Sequence, residues 1–316
     1  MSAAFRSRIL ISEFMDEKAI DALRARYDVH YDPGLFGKKD ELILEIRDAH
    51  ALIVRNNTRV DARLIESAPK LRVVARLGVG LDNIDLESCG KRAIAVHPAT
   101  GANARSVAEY TLAAILFLQR DVFSRSVETS AGKWPRNALS DTREAYGKTL
   151  GLVGFGNIGQ RVAKLAMPFE MRVIATDPAY PDDSPVWGKT GVTPRALHDL
   201  LREADFVSLH LPLEEKTRGL FDYATLSSIK RGAFLINTAR GGIVDEQGLA
   251  RLLREGHLNG AVIDVFSREP LEADSPFANL PNVCLTPHIA GLTRESNSRV
   301  SAIAAERVDQ TLRQQS

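Results

Sequence analysis

Gly154-Phe155-Gly156-Asn157-Ile158-Gly159 stands between an apolar run, Thr149-Leu150-Gly151-Leu152-Val153, and a run of helical periodicity, Gln160-Arg161-Val162-Ala163-Lys164-Leu165-Ala166. A strand entering and a helix leaving a Gly-x-Gly-x-x-Gly turn is the arrangement that cradles a dinucleotide pyrophosphate. Gly154 permits the tight turn, Gly156 lets the backbone approach the phosphates, and Gly159 lets the helix lie close on the sheet with its N-terminus facing the anion. Arg172-Val173-Ile174-Ala175-Thr176 then reads as the next strand and ends at Asp177, eighteen residues past Gly159. That is close to the roughly 20 expected for the acid that binds the adenosine ribose. A carboxylate there accepts from both ribose hydroxyls and repels a 2′-phosphate. Pro178 to Asp183 contain no arginine to offset it, so the cofactor expected is NAD rather than NADP.

On both sides of this turn, short apolar runs alternate with amphipathic segments. Ile9-Leu10-Ile11, Ala51-Leu52-Ile53-Val54, Val73-Val74-Ala75 and Ile94-Ala95-Val96 precede it; Phe206 to Leu209, Ala233 to Ile236, Ala261 to Ile263 and Val283 to Leu285 follow. The pattern predicts an α/β fold of two doubly wound parallel-sheet domains flanking a cleft, a Rossmann unit for the dinucleotide and a flavodoxin-like unit for substrate. Asn103 to Gln119 and Thr293 to Leu312 are long and free of Gly and Pro, and read as connecting helices. The division expected is 1–100 with 289–316 for the substrate domain and 101–288 for the NAD-binding domain, with a hinge where the chain crosses between them.

At 316 residues and 44% hydrophobic, the chain exceeds a single comfortable core. Its 41 basic and 40 acidic residues leave no field that would draw nucleic acid or an anionic membrane. Cys89 and Cys284 form neither a metal-site spacing nor a disulfide framework, the reading of a cytoplasmic protein, and the histidines lack zinc-ligand spacing, so no metal is expected. The apolar run near the N-terminus is too short for an export signal, and no stretch approaches the roughly 18 apolar residues of a membrane span.

Three side chains follow predicted strands of the second unit, where open α/β sheets place their ligands. Arg240 follows Asn237-Thr238-Ala239 and precedes Gly241-Gly242, so a planar guanidinium suited to a carboxylate emerges where backbone can approach closely. Glu269 lies in Asp264-Val265-Phe266-Ser267-Arg268-Glu269-Pro270 and His288 in Thr286-Pro287-His288-Ile289-Ala290-Gly291. A carboxylate bonded to one imidazole nitrogen sets the tautomer and leaves the other nitrogen to exchange a proton.

With these strings go RLGVGLDNID at Arg76 to Asp85, ATGANARSVAEY at Ala99 to Tyr110 and INTARGGIVDE at Ile236 to Glu246. Together with GFGNIG, DVFSREP and TPHIAG they make six blocks by which the chain resembles the D-isomer-specific 2-hydroxyacid dehydrogenases, most of all the shorter phosphoglycerate-dehydrogenase-like members. The resemblance implies Arg240 as carboxylate clamp and carbonyl polariser, His288 as acid/base and Glu269 as its orienting partner. It implies that N–H groups of Gly78-Val79-Gly80 bind the substrate carboxylate, with Val79, Arg240 and His288 also touching the cofactor. For NAD it adds Asn157 and Ile158 at the pyrophosphate, Leu211, Pro212 and Thr217 along the adenosine, and Thr238, Ala239, Asp264 and Gly291 near the nicotinamide. Asp264 either holds the carboxamide or caps a local turn.

Arg55 and Arg136 match family positions near a substrate's distal group, which favours an acid with a second anion, such as 3-phosphoglycerate or sulfolactate. A glyoxylate/hydroxypyruvate-type reductase and an NAD(H)-sensing corepressor-like binding protein are the alternatives, the latter disfavoured by the lack of a long flexible tail. Formate dehydrogenase is disfavoured because formate has no hydroxyl proton for a Glu–His pair to handle. A homodimer is expected from the family and from the apolar helix near residues 103–119. Feedback through a regulatory domain is expected to be absent, since none follows the last helix.

Overall fold

Twelve parallel strands form two sheets in the computed structural model, which describes residues 6–121 and 125–314. The first five residues of the run read for an export signal lie outside the described residues. The chain divides into two compact units, Met1–Asn103 with Leu292–Ser316, and Ala104–Gly291.

The first unit holds β1 (Arg8–Ile11), β2 (Asp28–Tyr31), β3 (Ala51–Val54), β4 (Val73–Arg76) and β5 (Ala95–Pro98), in the order β2-β1-β3-β4-β5. This is the flavodoxin-like order. Alternate residues of each strand face opposite sides of the sheet. Ile9, Ile11, Ile53 and Val73 meet Val300, Ala304, Val308 and Leu312 of the helix Arg294–Gln314. Leu10, Leu52, Val54 and Val74 meet Leu35, Ile46, Leu64 and Ile65 on the other face. The last helix of the chain therefore completes the core of the first unit. Sequence reading passes over β2, an edge strand whose Asp-Val-His-Tyr is exposed or half-buried and lacks an apolar run.

The second unit holds β6 (Thr149–Val153), β7 (Arg172–Thr176), β8 (Thr193–Pro194), β9 (Phe206–Leu209), β10 (Phe234–Asn237), β11 (Gly260–Ile263) and β12 (Val283–Leu285). Their order is β12-β11-β10-β9-β6-β7-β8, the Rossmann order with one further strand. After β6 the chain builds outward to β7 on one side and later to β9 on the other, so the order reverses at the carboxyl end of β6. That switch point is where such sheets bind ligands. The helix Asn157–Ala166 leaves β6 through the glycine turn and packs by Val162, Ala163 and Ala166 with Ala108 and Ile115 of the helix Ala104–Arg120. The two-residue β8 also escapes sequence reading; Pro194 has no N–H for a ladder and is tolerated at an edge.

Among the described residues no helix is long and apolar enough to cross a membrane. Leu312 is fully buried, so Leu312→Ala should cost about 2–5 kcal/mol in urea unfolding. Arg313, whose exposed ion pair with Asp309 spans 3.7 Å, should change stability by less than about 1 kcal/mol when replaced by Ala.

Candidate functional site

The glycine turn is dictated by backbone contacts on two of its three glycines. Gly154 has φ +97°, and a Cβ on it would lie 2.4 Å from the His210 carbonyl oxygen; a Cβ on Gly159 would lie 2.4 Å from the carbonyl oxygen of Gly154. Gly156 opens the helix, has no side-chain cap, and faces open space. The N–H groups of the first helical turn, including those of Asn157 and Ile158, lack intrahelical acceptors and stand ready for an anion.

At the end of β7, Asp177 accepts from the Phe155 N–H at 2.7 Å through Oδ2 and from the Ala179 N–H at 2.9 Å through Oδ1. Two amides thus hold a carboxylate whose remaining lone pairs suit ribose hydroxyls. After β9, Thr217 Oγ1 donates to the Pro212 carbonyl at 2.6 Å and closes the loop that begins at Leu211. After β10, the Thr238 hydroxyl is buried with no hydrogen-bond partner among the described residues, and the Ala239 N–H is held at 3.0 Å by Asn237 Oδ1. Open first-turn amides, a braced acid and an unsatisfied hydroxyl fit a dinucleotide, with the phosphates at the turn and the nicotinamide toward Thr238.

Parallel register brings the reactive loops to one edge. Asn237 is level with Ile263, and Ile263 with Leu285, so Arg240, Asp264 and His288 leave the sheet at the same end. A Cβ on Gly241 would fall 1.8 Å from the Phe266 carbonyl oxygen, so only glycine lets the Arg240 loop lie against the loop that carries Glu269. Arg240 donates from Nη1 to the Ala239 carbonyl at 2.7 Å. His288 Nδ1 lies 2.8 Å from Glu269 Oε2, and Glu269 Oε1 accepts from the Phe266 N–H at 3.0 Å. Burial pushes the Glu269 carboxyl up, but the hydrogen bonds from His288 and Phe266 and the charges of His288 and Arg240 outweigh it and hold the group below its usual range. The His288 and Glu269 side chains remain 38% and 33% exposed, open to a ligand.

His288 has φ +56°, a left-handed conformation that costs a non-glycine residue about 1 kcal/mol. The turn is held by Asp264, 1% exposed, which accepts from the Ile289 N–H through Oδ1 and from the Ala290 N–H through Oδ2, both at 2.8 Å. Asp264 therefore caps the turn that presents His288, and Gly291 follows directly.

In the first unit, Gly78 follows β4 with its N–H on the Arg76 carbonyl at 2.8 Å, and Val79 and Gly80 are half-buried beside it. Arg55 follows β3. Its backbone N–H and those of Asn57 and Thr58 all donate to the buried carboxylate of Glu13, at 2.8, 3.1 and 2.9 Å. The guanidinium donates from Nη2 to Asn297 Oδ1 at 2.8 Å and sits 5.6 Å from the centre of the Phe14 ring, while its Nε is buried without a hydrogen-bond partner among the described residues. Burial lowers its pKa.

Sequence reading missed Glu13 and Asn297. An acid directly after an apolar strand was the available signal for Glu13; the contact of Asn297 with Arg55 spans 242 positions and leaves none. Arg136 lies exposed in the short turn Arg136–Leu139, in the second unit. Among the described residues no group of three or more His, Cys, Asp or Glu could hold a metal ion.

Residues 112–290 match the family described as D-isomer specific 2-hydroxyacid dehydrogenase, NAD binding domain. The chain is 49% identical to (S)-sulfolactate dehydrogenase of Chromohalobacter salexigens, over 97% of its own length and 98% of the relative's. It is 38% identical to D-3-phosphoglycerate dehydrogenase of Methanocaldococcus jannaschii over 97% of its length, which spans 57% of that longer protein. The solved structure of the TT0316 protein from Thermus thermophilus superposes with a TM-score of 0.89 at 38% identity, covering 97% of both chains.

A carboxyl whose folded pKa is depressed gives stability that is present above its ordinary value, 4.5 for Glu269, and is lost as pH falls through the lowered one. Urea midpoints measured between about pH 6 and pH 3 should fall less steeply for Glu269→Gln than for the parent protein. Identical slopes would show that the His288 contact contributes nothing.

Proposed function

Since the chain belongs to the D-isomer specific 2-hydroxyacid dehydrogenases and is an NAD-dependent oxidoreductase of 2-hydroxy acids, we propose that its substrate is a small D-configured acid carrying a second anion, of the sulfolactate kind. The observation that carries the proposal is the Arg55 guanidinium. It is half-buried and has a neutral amide as its hydrogen-bond partner and no carboxylate within ion-pair distance among the described residues. Burial disfavours that charge more than the nearby Glu13 carboxylate favours it, and an anionic substrate group relieves the cost. (S)-Sulfolactate has the spatial arrangement of D-lactate: the sulfonate-bearing carbon outranks the carboxyl carbon in naming, so the letter changes and the geometry does not.

Bound NAD supplies a hydride acceptor at the nicotinamide ring. The chain's own residues do the rest. Glu269 takes the hydrogen bond from His288 Nδ1, which leaves Nε2 to remove the proton from the C2 hydroxyl in oxidation and to return it in reduction. The Arg240 fork holds the substrate carboxylate and steadies charge on the reacting oxygen. To the first unit we assign substrate binding, through the N–H groups of Val79 and Gly80, beside Gly78 whose own N–H is taken by the Arg76 carbonyl, and through Arg55. To the second we assign NAD, through Gly154, Gly156, Asn157, Ile158, Gly159, Asp177, Leu211, Pro212, Thr217, Thr238, Ala239 and Gly291, with Asp264 kept for the turn that it caps.

We also propose a cytoplasmic homodimer. The helix Ala104–Arg120 buries Ala108, Ala114 and Ile115 within its own unit, so support for association comes instead from Val127, Trp134 and Tyr146, which are 80%, 80% and 64% exposed.

His288→Ala should lower kcat by about 10²–10⁴-fold while NADH binding, read by fluorescence, stays within about threefold. Arg240→Lys should lose about tenfold or more in kcat/KM, because a point charge does not replace the fork. With a panel of 2-oxo acids, Arg55→Ala should raise KM about 10–100-fold for those with a distal anion and leave pyruvate unaffected. Equal effects across the panel would remove the distal-anion assignment, and NADH binding with no turnover of any 2-oxo acid would favour a sensor.

A further inference from the structure

The turn that presents His288 is tied to a residue far from it in the chain. Thr286 Oγ1 lies 2.5 Å from Asp264 Oδ1, and the Tyr110 hydroxyl lies 2.5 Å from Thr286 Oγ1. We propose that Tyr110, acting through Thr286 and Asp264, is a positioning residue for His288. The proposal rests on the reading of His288 as the proton-exchanging group.

The direction of each bond follows from what each group carries. Thr286 Oγ1 donates to Asp264 Oδ1 and so spends its single proton there. Its oxygen is then left as the acceptor, and Tyr110 must donate. Burial raises the Tyr110 pKa to about 12, which keeps that donor protonated throughout the range in which a dehydrogenase works.

Asp264 collects three donors, the Thr286 hydroxyl and the N–H groups of Ile289 and Ala290. All three come from the five-residue stretch Thr286 to Ala290 that has His288 at its centre, and Asp264 is anchored to the sheet by its backbone N–H on the Asn237 carbonyl at 3.0 Å. Pro287 has no N–H, and the His288 N–H turns back to the Thr286 carbonyl at 3.0 Å. The left-handed residue is thus gripped on both sides: Thr286 before it and two amides after it converge on one carboxylate. Successive amides around an anion form a nest, filled here by the protein itself. Tyr110 fixes the Thr286 rotamer that completes the grip, so the helix Ala104–Arg120 sets the direction in which the imidazole points.

The test uses the full-length protein with Tyr110→Phe, Thr286→Val and Thr286→Ser. Amide hydrogen exchange at Ile289 and Ala290, measured without cofactor, should speed up about 2–10-fold in Tyr110→Phe and about 10–100-fold in Thr286→Val, while amides of β9 are unchanged. With NADH and the preferred 2-oxo acid, kcat should fall by similar factors, with KM and NADH affinity within about twofold. Thr286→Ser should restore both. Unchanged exchange at those two amides would overturn the proposal, as would faster exchange with parental kcat, or a Thr286→Ser as impaired as Thr286→Val. Turnover surviving in His288→Ala would instead overturn the reading on which it rests, and the exchange result would stand apart from it.

Discussion

The hydrogen bond between His288 Nδ1 and Glu269 Oε2 is the contact on which the proposed proton exchange depends, and it exists because three parallel strands run in register. β10, β11 and β12 end level with one another, so three loops that are distant in the chain begin at one edge of one sheet. The glycine at position 241 then lets two of those loops touch backbone to backbone. A carboxylate, an imidazole and a guanidinium are brought together by strand geometry and one missing side chain, without an element of their own.

Charge is handled differently in the two units. Around His288 each acid has its partners: Glu269 is held ionised by His288, Arg240 and an amide, and Asp264 accepts three hydrogen bonds from its own turn. In the first unit the single buried acid near Arg55, Glu13, spends its oxygens on backbone amides, and the guanidinium is left with an amide partner and an aromatic ring. A balanced centre suits proton exchange, where the pair must change charge. An arginine whose hydrogen-bond partner is a neutral amide, on a braced loop, suits recognition of an anion.

Much of this was legible in the sequence because the informative residues stand beside breaks in periodicity. β6, β9 and β11 are buried throughout and mostly apolar; the glycine turn follows β6 and Glu269 the loop after β11, while Asp177, Arg240 and His288 follow the largely apolar β7, β10 and β12. β2 and β8 were not legible: edge strands pair on one side only, tolerate Asp, His and Pro, and leave no apolar signature. Asp264 was readable as a nicotinamide ligand or as a turn cap; its three donors show the second role directly. Glu13, Asn297, Tyr110 and Thr286 matter through contacts across 42, 242 and 176 positions, and no local pattern encodes a partner that far away.

The central claim is that His288, oriented by Glu269, meets the C2 oxygen of a 2-hydroxy acid. A crystal structure of the protein with NAD and (S)-sulfolactate tests it most directly. The account predicts His288 Nε2 within about 2.6–3.2 Å of the C2 oxygen and the Arg240 fork on the carboxylate. A ligand bound in productive contact with NAD but with its C2 oxygen facing another group would contradict it.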